Sequence, residues 1–440
     1  MHSRLLPAFT AALTLSFATP AAAKLSAPEQ TMVRTVDAEQ ERTVAMLTKW
    51  VDQNSGTLNF AGVKTVGEML RSELAPLGFT VDWLDMSAAN RSGHIVAHKT
   101  GKGHGKRLLL IGHLDTVFER DSPFQHWTRR GDQGEGPGAG DDKGGMAVIV
   151  AALRAMKAAG TLGQVDITVF LTGDEEDSGP LGIARRDLIA AGKRADVALD
   201  FEGLVQLGGP GGVQDMGSTA RRSSDEWTVT VTARSGHSSG IFTPGAGSGA
   251  IYELARIIDT FRREVPEDKL TFNVGLIGGG ATTDLDPGKI RIGATGKTNI
   301  IAASAVARGD LRAISADQIA RAKAKMAAIV AQPLSGAKAE IVFEPDGYPP
   351  MAPTEANRAL LARLNAVNRD LGQAEMGELD PVQRGAGDIS FVAADVDGLA
   401  GLGPASRGDH APGETVDIPS IFKQAKRAAI LISRLAKEKR

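Results

Sequence analysis

The sequence predicts an α/β fold: a mostly parallel mixed sheet flanked by helices, interrupted by a smaller α+β domain. Three observations predict it. After Arg107, the run Leu108-Leu109-Leu110-Ile111 is unbroken and apolar, as in a strand buried on both faces of a parallel sheet. Val165 to Leu171 and Asp196 to Phe201 repeat that pattern, with helical stretches at Gly145 to Ala159 and Leu181 to Ala191 between them, so strand and helix alternate. Near Arg221 the character changes, and Glu226 to Ala233 alternates β-branched and polar residues like a half-exposed antiparallel strand.

Taken in order, the chain opens with His2 and Arg4, an apolar stretch from Leu5 to Phe17, Pro20, and the small triplet Ala21-Ala22-Ala23. This is the pattern of an export signal cleaved after Ala23, so residues 1–23 are set apart and a periplasmic or secreted location is expected. Apolar residues recur at helical spacing from Ala38 to Asp52 and from Thr65 to Leu77, where Gly78 stops the second run. Phe79 to Leu84 and His94 to Lys99 read as short strands, and the seven glycines of Gly131 to Gly145 predict irregular backbone. Strands are expected at Phe272 to Ile277, Lys297 to Ile301, Ala305 to Ala313 and Ala339 to Phe343, with helices at Ala250 to Arg263 and Ala316 to Ala331. That βαβββαβ-like order suggests an inserted lid at 221–345 between two parts of a main domain, 24–220 and 346–440, the latter with helices at Glu355 to Leu371 and Ile421 to Ala436.

Composition narrows the function classes. A net charge of -2 with dispersed basic residues provides no long-range field for nucleic acid or an anionic membrane. The absence of cysteine removes thiolate ligands and disulfides, so any metal site must be built from nitrogen and oxygen donors.

The polar residues that follow the buried strands are the candidates for chemistry. His113 and Asp115 point to one side of an extended strand end, and a histidine held by a carboxylate is the usual form of a zinc ligand, although a satisfied buried histidine fits this pair equally. Asp141 and Asp142 precede a helix; Asp142 suits its cap, leaving Asp141 free to bridge two cations. Glu175 and Glu176 are adjacent at a buried strand end, where two carboxylates are costly unless a cation compensates; one could ligate while the other transfers protons, and a solvated acidic loop is the competing reading. Glu202 follows the third strand, with Asp200 as a competitor, and His410 lies in a late glycine-rich loop.

In order, Gly112-His113-Leu114-Asp115-Thr116-Val117, Gly138-Ala139-Gly140-Asp141-Asp142-Lys143-Gly144-Gly145 and Asp174-Glu175-Glu176 resemble the metallopeptidase family of carboxypeptidase G. That family also contains aminoacylases, acetylornithine deacetylase, succinyl-diaminopimelate desuccinylase and several dipeptidases. The resemblance spans nearly the whole mature chain and implies a zinc-exopeptidase type of fold with two Zn²⁺, Co²⁺ or Mn²⁺ being chemically acceptable in their place. It implies that His113 binds one metal, Asp141 bridges both, Glu176 and His410 complete one site and Glu202 closes the other, with a cis peptide between Asp141 and Asp142. By the same resemblance Asp115 orients His113 and Glu175 is the general base toward a metal-bridging water. His237, in Ser235-Gly236-His237-Ser238-Ser239, reaches a neighbouring active site to stabilise an oxyanion, which implies a homodimer through the lid. Arg312 and Asn299 hold the substrate carboxylate, Arg312 as a planar fork. Gly387, in Gly385-Ala386-Gly387-Asp388, departs from the family's usual Ser or Thr, leaving the shape of the pocket open.

The function expected is hydrolysis of a peptide or N-acyl-amino-acid amide bond, as a carboxypeptidase releasing a C-terminal residue, with glutamate-like residues among the candidates. An N-acyl-amino-acid deacylase or dipeptidase would use the same site. An exported peptide-binding protein on a disabled hydrolase is the alternative from another class, and it would be expected to lack Glu175 or a ligand.

Overall fold

The computed structural model describes residues 25–209 and 212–440. The expected export signal lies outside the described residues. The main sheet has six strands in the order Thr80–Asp85, Gly93–Lys99, Ile167–Thr172, Leu108–His113, Val197–Asp200, Gly398–Leu399. Leu108–His113 is parallel to both of its neighbours, and Gly398–Leu399 is parallel to Val197–Asp200, whereas Gly93–Lys99 runs antiparallel on both sides. The sheet is thus mixed and mostly parallel.

Strand periodicity divides its core in two. Leu108 and Leu110 enter one apolar cluster, with Lys143–Ala158, Ile418–Leu435 and the N-terminal helices, whereas Leu109 and Ile111 face a second, with Leu188, Ile389 and Val392. Every residue of Leu108–His113 is buried, as both faces being covered requires.

The lid has its own sheet, ordered Thr271–Gly280, Ser304–Arg312, Asp225–Ala233, Ala337–Phe343, all antiparallel. Helices Gly249–Glu264 and Ala316–Val330 cover one face through Leu254, Ile257, Phe261, Ala322 and Met326, and Trp227 sits edge-on to Phe261 at 5.7 Å. Gly309 is required there, because a Cβ would run into the Trp227 ring and the Asn273 carbonyl.

Several elements differ from the sequence expectation. Lys297–Ile301 is no strand: Ile300 N bonds back to Lys297 O in a turn, and the lid strands it displaces are a hairpin, Thr282–Leu285 with Ile292–Thr295. The glycine-rich stretch contains a strand, Gln133–Glu135, paired with Thr128–Arg130 and Thr415–Asp417. Leu181 to Ala191 is two short helices, Leu181–Ala184 and Arg186–Gly192. Ala27–Ala38 is an additional helix; the Glu29 carboxylate accepts the Ser26 amide at 2.8 Å and meets Arg434 at 2.7 Å, closing the start of this helix against the last one.

Candidate metal centre

Three buried parallel strands end at His113, Thr172 and Asp200, and the loops after them converge, as expected for the carboxyl edge of an open α/β sheet. His113 Nε2 lies 2.9 Å from Asp141 Oδ1, and His410 Nε2 lies 3.1 Å from Asp141 Oδ2 and 3.2 Å from Glu176 Oε2. Ligand atoms of His113, Asp141 and Glu176 fall within 4.8 Å of one another. Glu175 lines a cavity of about 660 Å³, shared with Asp141, Glu202, Arg221, Arg384 and His410.

The loops are held by groups that point away from the cavity. Asp115 is fully buried, faces His113 Nδ1 at 3.4 Å, accepts the Thr57 hydroxyl at 2.6 Å, and takes the amides of Glu175 and Glu176, each at 3.1 Å. His113 Nδ1 also lies 3.2 Å from the Asp115 backbone carbonyl, so this one residue orients the histidine through carbonyl and carboxylate and fixes the adjacent glutamates. Asp142, joined to Asp141 by a cis peptide, occupies the helix N-cap position but makes no capping bond, contrary to the role expected for it; its Oδ2 instead accepts the His113 amide at 3.2 Å and so ties the helix start to the strand end. Glu414, which gives no local sequence signal, accepts the amides of Gly138, Gly140 and Asp141 at 2.8–3.1 Å and so shapes the loop that carries Asp141.

Glu202 stands apart from the three-residue cluster. Its Oε2 is engaged by Arg221 and by Arg384 Nη2 at 3.4 Å, whereas its Oε1 is buried without a partner. Arg221 also binds Asp200 Oδ2 at 3.1 Å and the carbonyl of Gly385 at 2.9 Å. Neither arginine was predictable as a site residue: a lone Arg, or the pair Arg221-Arg222 at a domain boundary, reads as solvent-facing. Gly387 is explained by them, since a side chain there would overlap the Arg221 guanidinium and the orphaned Glu202 Oε1. A Gly387→Ala protein is expected to lose at least tenfold in turnover and to melt below the parent, because the added methyl overlaps a buried guanidinium already held by Asp200, Glu202 and the Gly385 carbonyl; parallel kinetics and thermal melts check this.

The electrostatics are those of crowded, buried carboxylates. Burial first, and then Glu202, Asp388 and Glu176, push the Glu175 carboxyl well up. Burial and Glu202 push Asp200 up to about 7, and burial pushes Glu414 up to about 8. His410 is pushed up to about 11 by Asp141 and Glu176. The donor set is nitrogen and oxygen only, and two carboxylate oxygens, Asp142 Oδ1 and Glu202 Oε1, are buried without a partner, so the residues fit hard or borderline divalent metals.

A family model for peptidase family M20/M25/M40 matches residues 109–434. The chain belongs to that family. Carboxypeptidase G2 of a Pseudomonas species is 30% identical to this M20 chain over 406 residues, covering 90% of this chain and 89% of the relative. A succinyl-diaminopimelate desuccinylase of Leptothrix cholodnii is 29% identical over 207 residues, 44% of this chain and 51% of that protein. Among solved structures, an aminopeptidase of Bacillus cereus superposes with a TM-score of 0.71 at 18% identity, covering 90% of this chain and 99% of the other. A dinuclear metal-binding M20 peptidase of Bacillus subtilis superposes with 0.61 at 15% identity, covering 91% and 99%. The M20 chain is a hydrolytic metalloenzyme with the mixed α/β architecture of that family.

The lid residues expected at the site are elsewhere in the single chain. His237 is exposed, its Nδ1 bonded to Ser239 Oγ at 2.8 Å; Asn299 is exposed; and Arg312 Nε is paired with Asp310 Oδ2 at 2.8 Å. None of the three lines the cavity.

Proposed function

We propose that this M20 enzyme is a two-zinc carboxypeptidase that hydrolyses the amide bond before a C-terminal amino acid. The observation that supports it most is the convergence of His113, Asp141, Glu176 and His410 beside a cavity into which Glu175 and Glu202 also project. His113 and Glu202 would hold one metal, Glu176 and His410 the other, with Asp141 between them. When bound, such cations supply Lewis acidity toward the scissile carbonyl and lower the pKa of water. Glu175 would take a proton from the attacking water and deliver it to the leaving nitrogen, a role its place on the cavity wall beside Asp141 and His410 allows.

Arg312 and Asn299 would grip the substrate α-carboxylate when the lid approaches, and His237 would serve the cavity of a second copy in a homodimer. The exposure of His237 on the lid, away from its own chain's cavity, supports that assignment. Export to the periplasm or medium follows from the pattern of residues 1–23, and among the described residues no helix is long and apolar enough to cross a membrane. A panel of N-acyl amino acids and dipeptides, each with a free or an amidated C-terminus and offered to zinc-loaded protein, tests the reading. Cleavage is expected only with a free carboxylate, most readily with an acidic C-terminal residue; equal turnover of the amidated substrates would exclude the carboxypeptidase assignment.

A further inference from the structure

The lid joins the main domain through two covalent crossings, and these pair with each other. Arg221 exchanges backbone hydrogen bonds with Met351, each at 2.9 Å, and Ser224 does so with Tyr348 at 3.0 and 2.9 Å. Four hydrogen bonds thus make the connection a short antiparallel ribbon rather than two independent linkers. A ribbon of this kind moves as a unit.

From each strand of the ribbon one side chain reaches the metal centre. Arg221, buried, grips Oε2 of Glu202 and Oδ2 of Asp200 and is itself fixed by the carbonyls of Gly385 and Ala386. Tyr348 sends its hydroxyl to the carbonyl oxygen of Glu175 at 3.0 Å and meets Ser178 Oγ at 2.7 Å. Arg185, fully buried between Asp174 and Asp388, donates to the same phenol oxygen at 3.1 Å. An edge-on contact with Phe391 at 4.8 Å holds the Tyr348 ring, and burial keeps the phenol protonated, so it remains a donor. The two crossings therefore hold two residues that line one cavity, Arg221 through a carboxylate oxygen of Glu202 and Tyr348 through the backbone carbonyl of Glu175.

We propose that the hinge ribbon sets the spacing between Glu202 and Glu175, with Arg221 and Tyr348 as positioning residues that make the metal centre responsive to lid posture. The inference rests on the hydrolase reading, in which Glu202 is a ligand and Glu175 the base. A misplacement of about 1 Å at such a centre costs on the order of a hundredfold in rate, so a ribbon that shifts with the lid can switch turnover without any lid residue touching the metal.

The test uses the full-length, metal-loaded protein. Tyr348→Phe deletes one hydroxyl and keeps the ring; kcat is expected to fall about 10- to 100-fold at unchanged KM and unchanged metal content, with faster amide hydrogen exchange at Glu175 to Ser178. Arg221→Met is expected to weaken zinc retention at least tenfold in chelator competition, which needs no turnover, and Arg221→Lys to recover part of it. Residues without a shared partner ordinarily contribute independently; through one ribbon, the Tyr348→Phe/Arg221→Lys protein should lose less than the product of the single losses. Parent kcat and parent exchange in Tyr348→Phe, or strictly multiplicative losses, would overturn the proposal. Should the parent protein cleave no amide, the hydrolase reading fails by itself, while zinc retention and hydrogen exchange still decide whether the ribbon positions these groups.

Discussion

Glu175→Gln is expected to retain the parent metal content and to lower kcat by about 10²- to 10⁴-fold, the range associated with loss of a positioned general base. The substitution keeps the shape of the side chain and leaves its backbone anchors in place: the Glu175 amide still reaches Asp115 at 3.1 Å, and its carbonyl still accepts from Tyr348. Only the capacity to accept a proton is removed. Glu176→Gln supplies the contrast. It strikes a group 3.2 Å from His410 and within the His113, Asp141, Glu176 cluster, so it should reduce metal content as well as rate. Elemental analysis with kcat for both proteins separates the two roles; a Glu175→Gln enzyme that holds zinc and works at the parent rate removes Glu175 from the chemistry.

How far these roles were readable from the residues depends on whether the cause is local. His113, Asp141, Glu175, Glu176 and Glu202 all follow buried strands or precede a helix, and a polar residue at the end of a fully apolar run announces itself because its burial needs compensation. The strands were legible for the same reason, since Leu108 to Ile111 and Val197 to Asp200 are buried on both faces. Glu414, Arg221, Arg384 and Tyr348 carry no such signal. Each acts on a residue tens to hundreds of positions away, and nothing beside it in the chain differs from an ordinary loop. The same holds for the lid hairpin Thr282–Leu285/Ile292–Thr295, whose Ile292 packs over Gly278 of the neighbouring strand, and for Lys297 to Ile301, whose β-favouring Ile300-Ile301 is overruled by the turn before it. Gly387 shows the limit from the other direction: the departure was visible, but its reason is the arginine that occupies the space a side chain would fill.

Metal-stripped protein is expected to lose stability between about pH 5.5 and about pH 8, and metal-loaded protein to resist that loss. Asp200 and Glu414 hold their protons up to about 7 and about 8, chiefly through burial, and Glu175 and Asp142 are pushed the same way. With folded values above the unfolded ones, the folded chain binds more protons across this window. The stability they contribute is complete below the unfolded carboxyl values and disappears as pH rises through 7 and 8. Asp115 and Asp141 are held below the usual carboxylate range, so their contribution is already complete at the acid end and adds no slope. Lys143 opposes the trend: burial lowers it to about 7, so a penalty present in acid is relieved as pH rises. Asp200 and Glu414, with Glu175 and Asp142 pushed the same way, outweigh this one lysine, so a net loss of stability is expected as pH rises. Bound divalent cations would neutralise the repulsion among Asp141, Glu175 and Glu202 and displace the protons on His113 and His410, so metal binding itself should tighten as pH rises. Both effects widen the gap in melting midpoint between loaded and stripped protein from the acid to the alkaline end. Thermal melts with and without chelator at the two pH values measure that gap; one that stays constant, or narrows toward pH 8, would show that the crowded carboxylates are not compensated by metal.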